Sequence, residues 1–213
     1  MKISFQKRSG LTLIEVLAII AMLVIAAFIL LHKLAKPNEK HLRFTCDNNL
    51  KQVGLSFRIY AGDNRDRYPM NSSTNNGSMV NEMTPVYKYF LMLSNELGTV
   101  KAVTCPDDKK QKAAADFTTL SNSNISYFIG LDAHETFPQS ILSGDRNITN
   151  GLPAKRGILG LTTNQMVGFT GEIHNKQGNI AIGDGSVQQV SSARLRSEII
   201  QNSPFATNRI KLP

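Results

Sequence analysis

The run Lys7-Arg8-Ser9-Gly10-Leu11-Thr12-Leu13-Ile14-Glu15-Val16-Leu17 opens an apolar stretch that continues to Leu31. Across the 21 residues from Leu11 to Leu31, Glu15 is the only ionisable side chain. As a helix rising ~1.5 Å per residue the stretch reaches about 31 Å, enough to cross a bilayer core of ~30 Å. Lys2, Lys7 and Arg8 form a positive flank without an acid, which the positive-inside rule retains in the cytoplasm. Everything downstream is then expected on the far side of the membrane.

Glu15 is the informative anomaly. A charged side chain near the centre of a membrane helix costs on the order of 2.5–3.5 kcal/mol on translocon scales, so a carboxylate here calls for a partner. Cleavage after Gly10, a residue whose missing side chain lets an enzyme approach the backbone, would free an amine on Leu11. Glu15 of a neighbouring chain can pair with that amine. A secretory signal would instead carry a ~7–15-residue apolar region and an Ala-x-Ala-like site, and a plain anchor leaves Gly10 and Glu15 together unexplained. A leader ending in glycine, then an apolar helix with glutamate as its fifth residue, resembles the type IV prepilin family. The resemblance implies cleavage after Gly10 and N-methylation of Leu11 by a prepilin peptidase. Leu11 stands where family members most often have Phe.

The 213 residues allow for a leader (1–10), one span (11–31) and one modest globular domain. Net charge is +8; the leader holds three of the 24 basic residues and none of the 16 acids, which leaves +5 after cleavage. That excess is compatible with nucleic acid, anionic lipid or neither. Cys46 and Cys105 are the only cysteines. Outside the cytoplasm they are free to form a disulfide; two small buried hydrophobes are the other reading.

Pro37 is expected to kink or break the helix at the membrane exit. Beyond it, Leu42, Cys46, Leu50, Val53, Phe57 and Tyr60 recur every three or four residues, the stripe of an amphipathic helix over residues 39–61. His41, Arg43, Lys51 and Arg58 fall on its solvated face. Residues 32–61 thus read as the amphipathic continuation of the helix, and 62–213 as the globular domain. Residues 62–82 read as loop. Thr84-Pro85 starts a second helix, with Thr84 as N-cap and Pro85 at the first helical position. Val86, Phe90, Leu93 and Leu97 give that helix its buried face, and Gly98 ends it. Strands are expected at Val100–Thr104, Ile125–Ile129 and Ile141–Leu142, with a turn at Gly144-Asp145-Arg146-Asn147 and loop with weak strand over 149–165. Asn179–Ile182 and Ser186–Val190 flank Gly183-Asp184-Gly185 and predict a hairpin. Ser191 or Ser192 caps a last helix to about Gln201, and Arg209–Pro213 adds an edge strand. Helix first and short antiparallel strands later define an α+β domain. The prepilin resemblance implies a pilin-like form of it, with a long N-terminal helix packed on a small antiparallel sheet.

His174 and Asp184-Gly185 are nine residues apart. With the leader, this resembles the prepilin-type proteins that carry a processing-associated H-x9-D-G segment, here 174–185. Cys46-Asp47-Asn48-Asn49-Leu50-Lys51-Gln52-Val53-Gly54-Leu55, Leu97 to Asp107 around Cys105-Pro106, and Ser126-Tyr127 are similar to that group too. The residues themselves assign His174 and Asp184 a structural role, with the Asp-Gly making the turn and His174 packed beside it; a metal-binding or proton-sharing pair is the rival reading. No H-E-x-x-H, nucleophile elbow or phosphate loop is present. Type II secretion pseudopilins commonly bind calcium in a domain loop, and Asp63, Asn64 and Asp66, or Asp107 and Asp108, are the oxygen donors available for it. No other cofactor is expected.

The resemblance implies a non-enzymatic pseudopilin of a type II secretion or type IV pilus-like filament. Its partners are then a prepilin peptidase, other pilin-like subunits, the inner membrane and the secretion machinery. The N-terminus is cytoplasmic and the domain periplasmic or otherwise extracytoplasmic, on a filament after assembly. The first rival is a competence-type pilin that binds DNA through Arg58, Arg65 and Arg67 or Lys109, Lys110 and Lys112. DNA is not the expected partner, because no aromatic residues interleave the second run. The second rival is a membrane-anchored binding or metal-dependent protein.

Overall fold

The computed structural model describes residues 12–34, 39–72 and 82–213. The expected leader, Gly10, Leu11 and the Pro37 kink lie outside the described residues, as does 73–81 of the expected loop. The chain divides into two units, residues 1–38 and residues 39–213.

In the first unit, α1 (Leu13–Leu34) is one helix, long and apolar enough to span a membrane. Thr12 and Glu15 close its N-terminus. The Glu15 carboxylate accepts from the Thr12 backbone N–H at 2.8 Å and from its hydroxyl at 2.9 Å. This is the return half of a capping box. Glu15 therefore sits in the first turn, with a partner in its own chain. Every side chain from Leu13 to Leu30 is exposed, so over these residues the helix has an apolar surface on all sides.

The second unit is built on α2 (Glu39–Asp63). Cys46, Leu50, Val53 and Phe57 are fully buried, and full burial of such side chains stabilises by about 1.5–3 kcal/mol each. A short 3-10 turn (Pro69–Asn71), α3 (Val86–Met92) and α4 (Ser94–Leu97) follow. Pro85 caps α3, so the helix begins one residue later than predicted. Val86, Phe90, Leu93 and Leu97 are buried, and Gly98 ends α4 at φ 65°. Val100–Val103 is not the predicted strand but a 3-10 turn, its first free amides met by the Thr99 hydroxyl, which accepts from Lys101 N.

The strands are β1 (Tyr127–Gly130), β2 (Ile141–Asp145), β3 (Ile148–Thr149), β4 (Ile158–Leu161), β5 (Gly168–Phe169), β6 (Gln177–Ile182), β7 (Val187–Ser191) and β8 (Asn208–Lys211). Six of them form one antiparallel sheet in the order β4-β8-β1-β2-β6-β7, and β3 pairs with β5 apart from it. Between β7 and β8, Ser191 caps α5 (Ser192–Arg194), which continues as a π-helix over Leu195–Ile200. The predicted hairpin forms as β6–β7. The C-terminal strand is not the edge, because β4 covers it.

Alternation along the strands divides the sheet between two cores. Tyr127, Ile129, Leu142 and Ala181 join α2 and α3 on one face. Phe128, Ile141, Ile180 and Ile182 join Leu195 and Ile199 on the other. Phe57 meets Tyr68 and Phe90 edge-on, and the buried Tyr68 hydroxyl donates to Gly183 O at 2.7 Å.

Helix α2 approaches the hairpin turn most closely at Gly54, where a Cβ would lie 2.9 Å from Gly185 O. Gly62, on the same helix, has open space around it. Gly54→Ala should therefore destabilise the domain by about 1–3 kcal/mol, as over-packing does. Gly62→Ala should be neutral or stabilising by up to ~1 kcal/mol. Urea melts of the detergent-solubilised chain compare them; equal midpoints for the two variants would refute the close approach.

Candidate functional site

His174 is the hub of a buried polar cluster between α2, β2, β6 and the loop that begins at Cys105. His174, Asn175 and Lys176 all take positive φ, at 53°, 50° and 63°. Each non-glycine residue held there costs on the order of 1–3 kcal/mol unless its surroundings fix it. Asn147 supplies the fixing: its side-chain amide donates to Thr170 O at 3.0 Å, Ile173 O at 2.9 Å and Gln177 O at 3.3 Å.

This bend turns the imidazole inward, where its side chain is fully buried. Asp107 Oδ2 accepts from the His174 backbone N–H at 2.9 Å and lies 3.0 Å from Nδ1. On the other side of the ring, Nε2 faces Cys105 Sγ at 3.5 Å, Asn179 Nδ2 at 3.3 Å and Asp145 Oδ2 at 3.5 Å. Cys46 and Cys105 are joined by a disulfide, and both are fully buried. Tyr127 anchors the helix side by donating to Cys46 O at 3.0 Å.

Asp145, at the end of β2, is completely buried and accepts from Asn179 N at 2.7 Å. Burial pushes its pKa up to about 8, against the pull of the Asn179 amide and the Arg43 charge. Burial lowers the pKa of His174, although Asp107 opposes it. Asp145 Oδ1 has no hydrogen-bond partner. Asp108 behaves oppositely. Burial raises it, but Arg146, which donates at 2.6 and 2.7 Å, outweighs that and holds the carboxyl below its ordinary range.

Asp107 and His174 are among the residues that line an open cleft of about 570 Å³, together with Lys40, Arg43, Lys109 and Glu172. Arg43, read as part of the solvated face, is half-buried and donates to Gln177 Oε1.

The structure separates several residues that the sequence placed together. His174 does not pack beside the hairpin turn. It precedes β6 while Asp184-Gly185 follows it, and the six residues of that strand put roughly 20 Å between them. Gly185 makes the turn at φ 83°. Asp145 and its neighbour Gly144 belong to β2, so the predicted turn is reduced to Arg146-Asn147. Asp107 and Asp108 face different partners, His174 and Arg146, and so do not converge as a calcium loop. Asp63 and Asp66 are exposed where α2 ends. Arg58 donates to Asp184 O and pairs with Glu135, and Lys110 pairs with Glu172, whereas Arg65, Arg67 and Lys112 are exposed. The sequence reading missed Asp145, Asn147 and Asn179 as site residues. Each is polar and stands in or beside an apolar strand, which is the signal that would have found them.

Neither family models, nor curated proteins, nor solved structures yield a match to this chain.

The proton balance of the Asp145–His174 pair has a measurable sign. In the folded domain, with the disulfide intact, Asp145 keeps its proton to about pH 8, and burial makes His174 take one up less readily than a free imidazole. Unfolded, the two groups titrate at their ordinary values of 3.8 and 6.5. Between about pH 4 and 6.5 the lowered His174 makes stability rise with pH, which opposes the effect of the proton kept on Asp145. From pH 6.5 to about 8 only the folded state keeps it, and stability falls as pH rises, by on the order of 1–2 kcal/mol. Asp145→Asn should remove that decline and make stability fall instead as pH drops below 6.5. Chemical denaturation of the full chain from pH 4 to 9 checks this; parallel profiles for the two proteins would exclude the proton on Asp145.

Proposed function

We propose that this chain is a pilin-like structural subunit, most like a type II secretion pseudopilin, that a prepilin peptidase cleaves after Gly10 and methylates on Leu11. The observation that carries the reading is Glu15 in the first turn of a helix whose apolar side chains from Leu13 to Leu30 are all exposed. Such a helix needs an apolar medium. In the inner membrane lipid supplies it, and in a filament the helices of neighbouring subunits take the place of lipid. The Thr12–Glu15 cap gives the carboxylate a partner before assembly. On assembly the methylated amine of an adjacent Leu11 adds the opposite charge and sets the axial register between subunits.

The disulfide-bonded α+β unit supports the same reading. It has buried hydrophobic clusters of its own and is suited to coat a filament on the extracytoplasmic side, where disulfides persist. In this account the protein catalyses nothing and is itself the substrate of a peptidase. Its partners are other pilin-like subunits and the secretion machinery. A DNA-uptake role is less well supported, because Arg58 and Lys110 are already engaged by Glu135 and Glu172.

Intact-mass and N-terminal analysis of protein from its native membrane is the direct test: the chain should begin at N-methylated Leu11. A bulky substitution, Gly10→Val, should leave the leader attached. Glu15→Gln keeps an acceptor for the Thr12 amide but removes the charge, so it should be inserted and cut normally while incorporation into filaments drops severalfold. An unprocessed wild-type chain in cells with active peptidase would end the prepilin reading, and normal assembly of Glu15→Gln would end the charge pairing.

A further inference from the structure

We propose that Cys46, Cys105 and His174, with Asp145 beside the imidazole, form a redox-gated site for a zinc-class divalent ion, closed while the disulfide stands and opened by its reduction. This goes beyond the filament reading and does not depend on it. The two sulfurs and His174 Nε2 all lie within 4.8 Å of one another, each from a buried residue. Tetrahedral zinc with Zn–S ~2.3 Å and Zn–N or Zn–O ~2.0–2.2 Å needs sulfur–nitrogen edges of about 3.5 Å and nitrogen–oxygen edges of about 3.3 Å. Cys105 Sγ and Asp145 Oδ2 each stand 3.5 Å from His174 Nε2. The edge between the sulfurs opens from a covalent bond to about 3.7 Å by rotation of two side chains.

Three further features point to an ion. Asp107 lies 3.0 Å from Nδ1, so its charge favours the proton on that nitrogen, and the Nε2 lone pair then faces Cys105 Sγ and the Asn179 amide, whose place an ion would take. Asp145 Oδ1 is buried without a hydrogen-bond partner, so this carboxylate has unused acceptor capacity inside the cluster. Two thiolates match the charge of a divalent cation, and Arg43 is close enough for its charge to act on Asp145.

The redox step is a thiol–disulfide exchange. A dithiol transfers two electrons and two protons to the Cys46–Cys105 bond, becomes a disulfide itself, and leaves two protein thiols. The ion then displaces both thiol protons to solvent and binds the thiolates. A disulfide oxidant runs the sequence backwards and expels the ion. The donor set, two sulfurs with one imidazole, selects zinc over calcium or magnesium.

The test uses the full-length chain in detergent, reduced with a phosphine without oxygen and titrated with cobalt(II) as the probe, then with zinc(II). A single cobalt per reduced chain is expected, with tetrahedral visible bands and a thiolate charge-transfer band that zinc abolishes; the disulfide form should show neither. His174→Ala and Asp145→Asn should each weaken cobalt binding by at least about 10-fold, and Asp107→Asn, which acts through His174, by about 10–100-fold with stoichiometry kept. Circular dichroism of each reduced protein reports whether the fold survives. Failure of the reduced wild type to bind cobalt, folded or not, overturns the site. So does a thiolate band whose strength and affinity are unchanged by His174→Ala, because the thiols alone would then hold the ion.

Discussion

The domain depends on α2 lying along β6 with matched lengths. Arg43, near the start of the helix, donates to Gln177 at the start of the strand, and Arg58 donates to Asp184 just past its end. Fifteen helical residues rise about 22 Å and seven extended ones about 23 Å, so the two elements stay in step over the whole contact. Between those points the fully buried Cys46, Leu50, Val53 and Phe57 hold the helix to the sheet, and Gly54 lets it close on the hairpin turn at Gly185. The Tyr68 hydroxyl on Gly183 O secures the same turn from the chain that follows the helix.

This pairing explains why a histidine and an Asp-Gly stand nine residues apart. They mark the two ends of one strand rather than two halves of one site. At the far end Asp184-Gly185 turns the chain into β7. At the near end the bend at His174 enters the strand and carries the imidazole under Cys46 and Cys105. The disulfide ties the helix to the loop before Asp107, Asp107 holds the His174 amide, and Asn179 on β6 holds Asp145 on β2. The cluster therefore joins helix, loop and two strands.

Local signals identified the elements whose cause is local. The α2 stripe follows from its spacing, the β6–β7 hairpin from Asp184-Gly185, the end of α4 from Gly98 and the start of α5 from Ser191. Elements decided by distant partners were not legible in the same way. Val100–Val103 holds two β-branched valines, yet among the described residues it pairs with no strand, and it winds into a 3-10 turn that buries Val100, Ala102 and Val103. Gly144-Asp145-Arg146-Asn147 has the composition of a turn, but Gly144 pairs with Phe128 and Ile180, and the amide of Asn179 satisfies Asp145. The C-terminal strand looked like an edge because Ile158–Leu161, which covers it, carries only a weak strand signal. In the site, the sequence picked out the two cysteines and His174, but not Asp145 or Asn147, whose roles exist only once β2 and β6 are paired.

The bend at His174-Asn175-Lys176 shows how the fold maintains a conformation that its sequence disfavours. Three successive left-handed residues without a glycine would relax if the loop were free. They do not, because the Asn147 amide engages carbonyls on both sides of the bend, at Thr170 and Ile173 before it and Gln177 after it. The imidazole itself is pinned between Asp107 and the sulfur of Cys105. The strained loop and the disulfide thus constrain one another: the bend presents His174 to the sulfurs, and the bonded sulfurs fill the space that keeps the ring inward. Removing the bond frees only one of these restraints. Asn147 and Asp107 still hold the backbone, so His174 remains directed at whatever the two cysteines become.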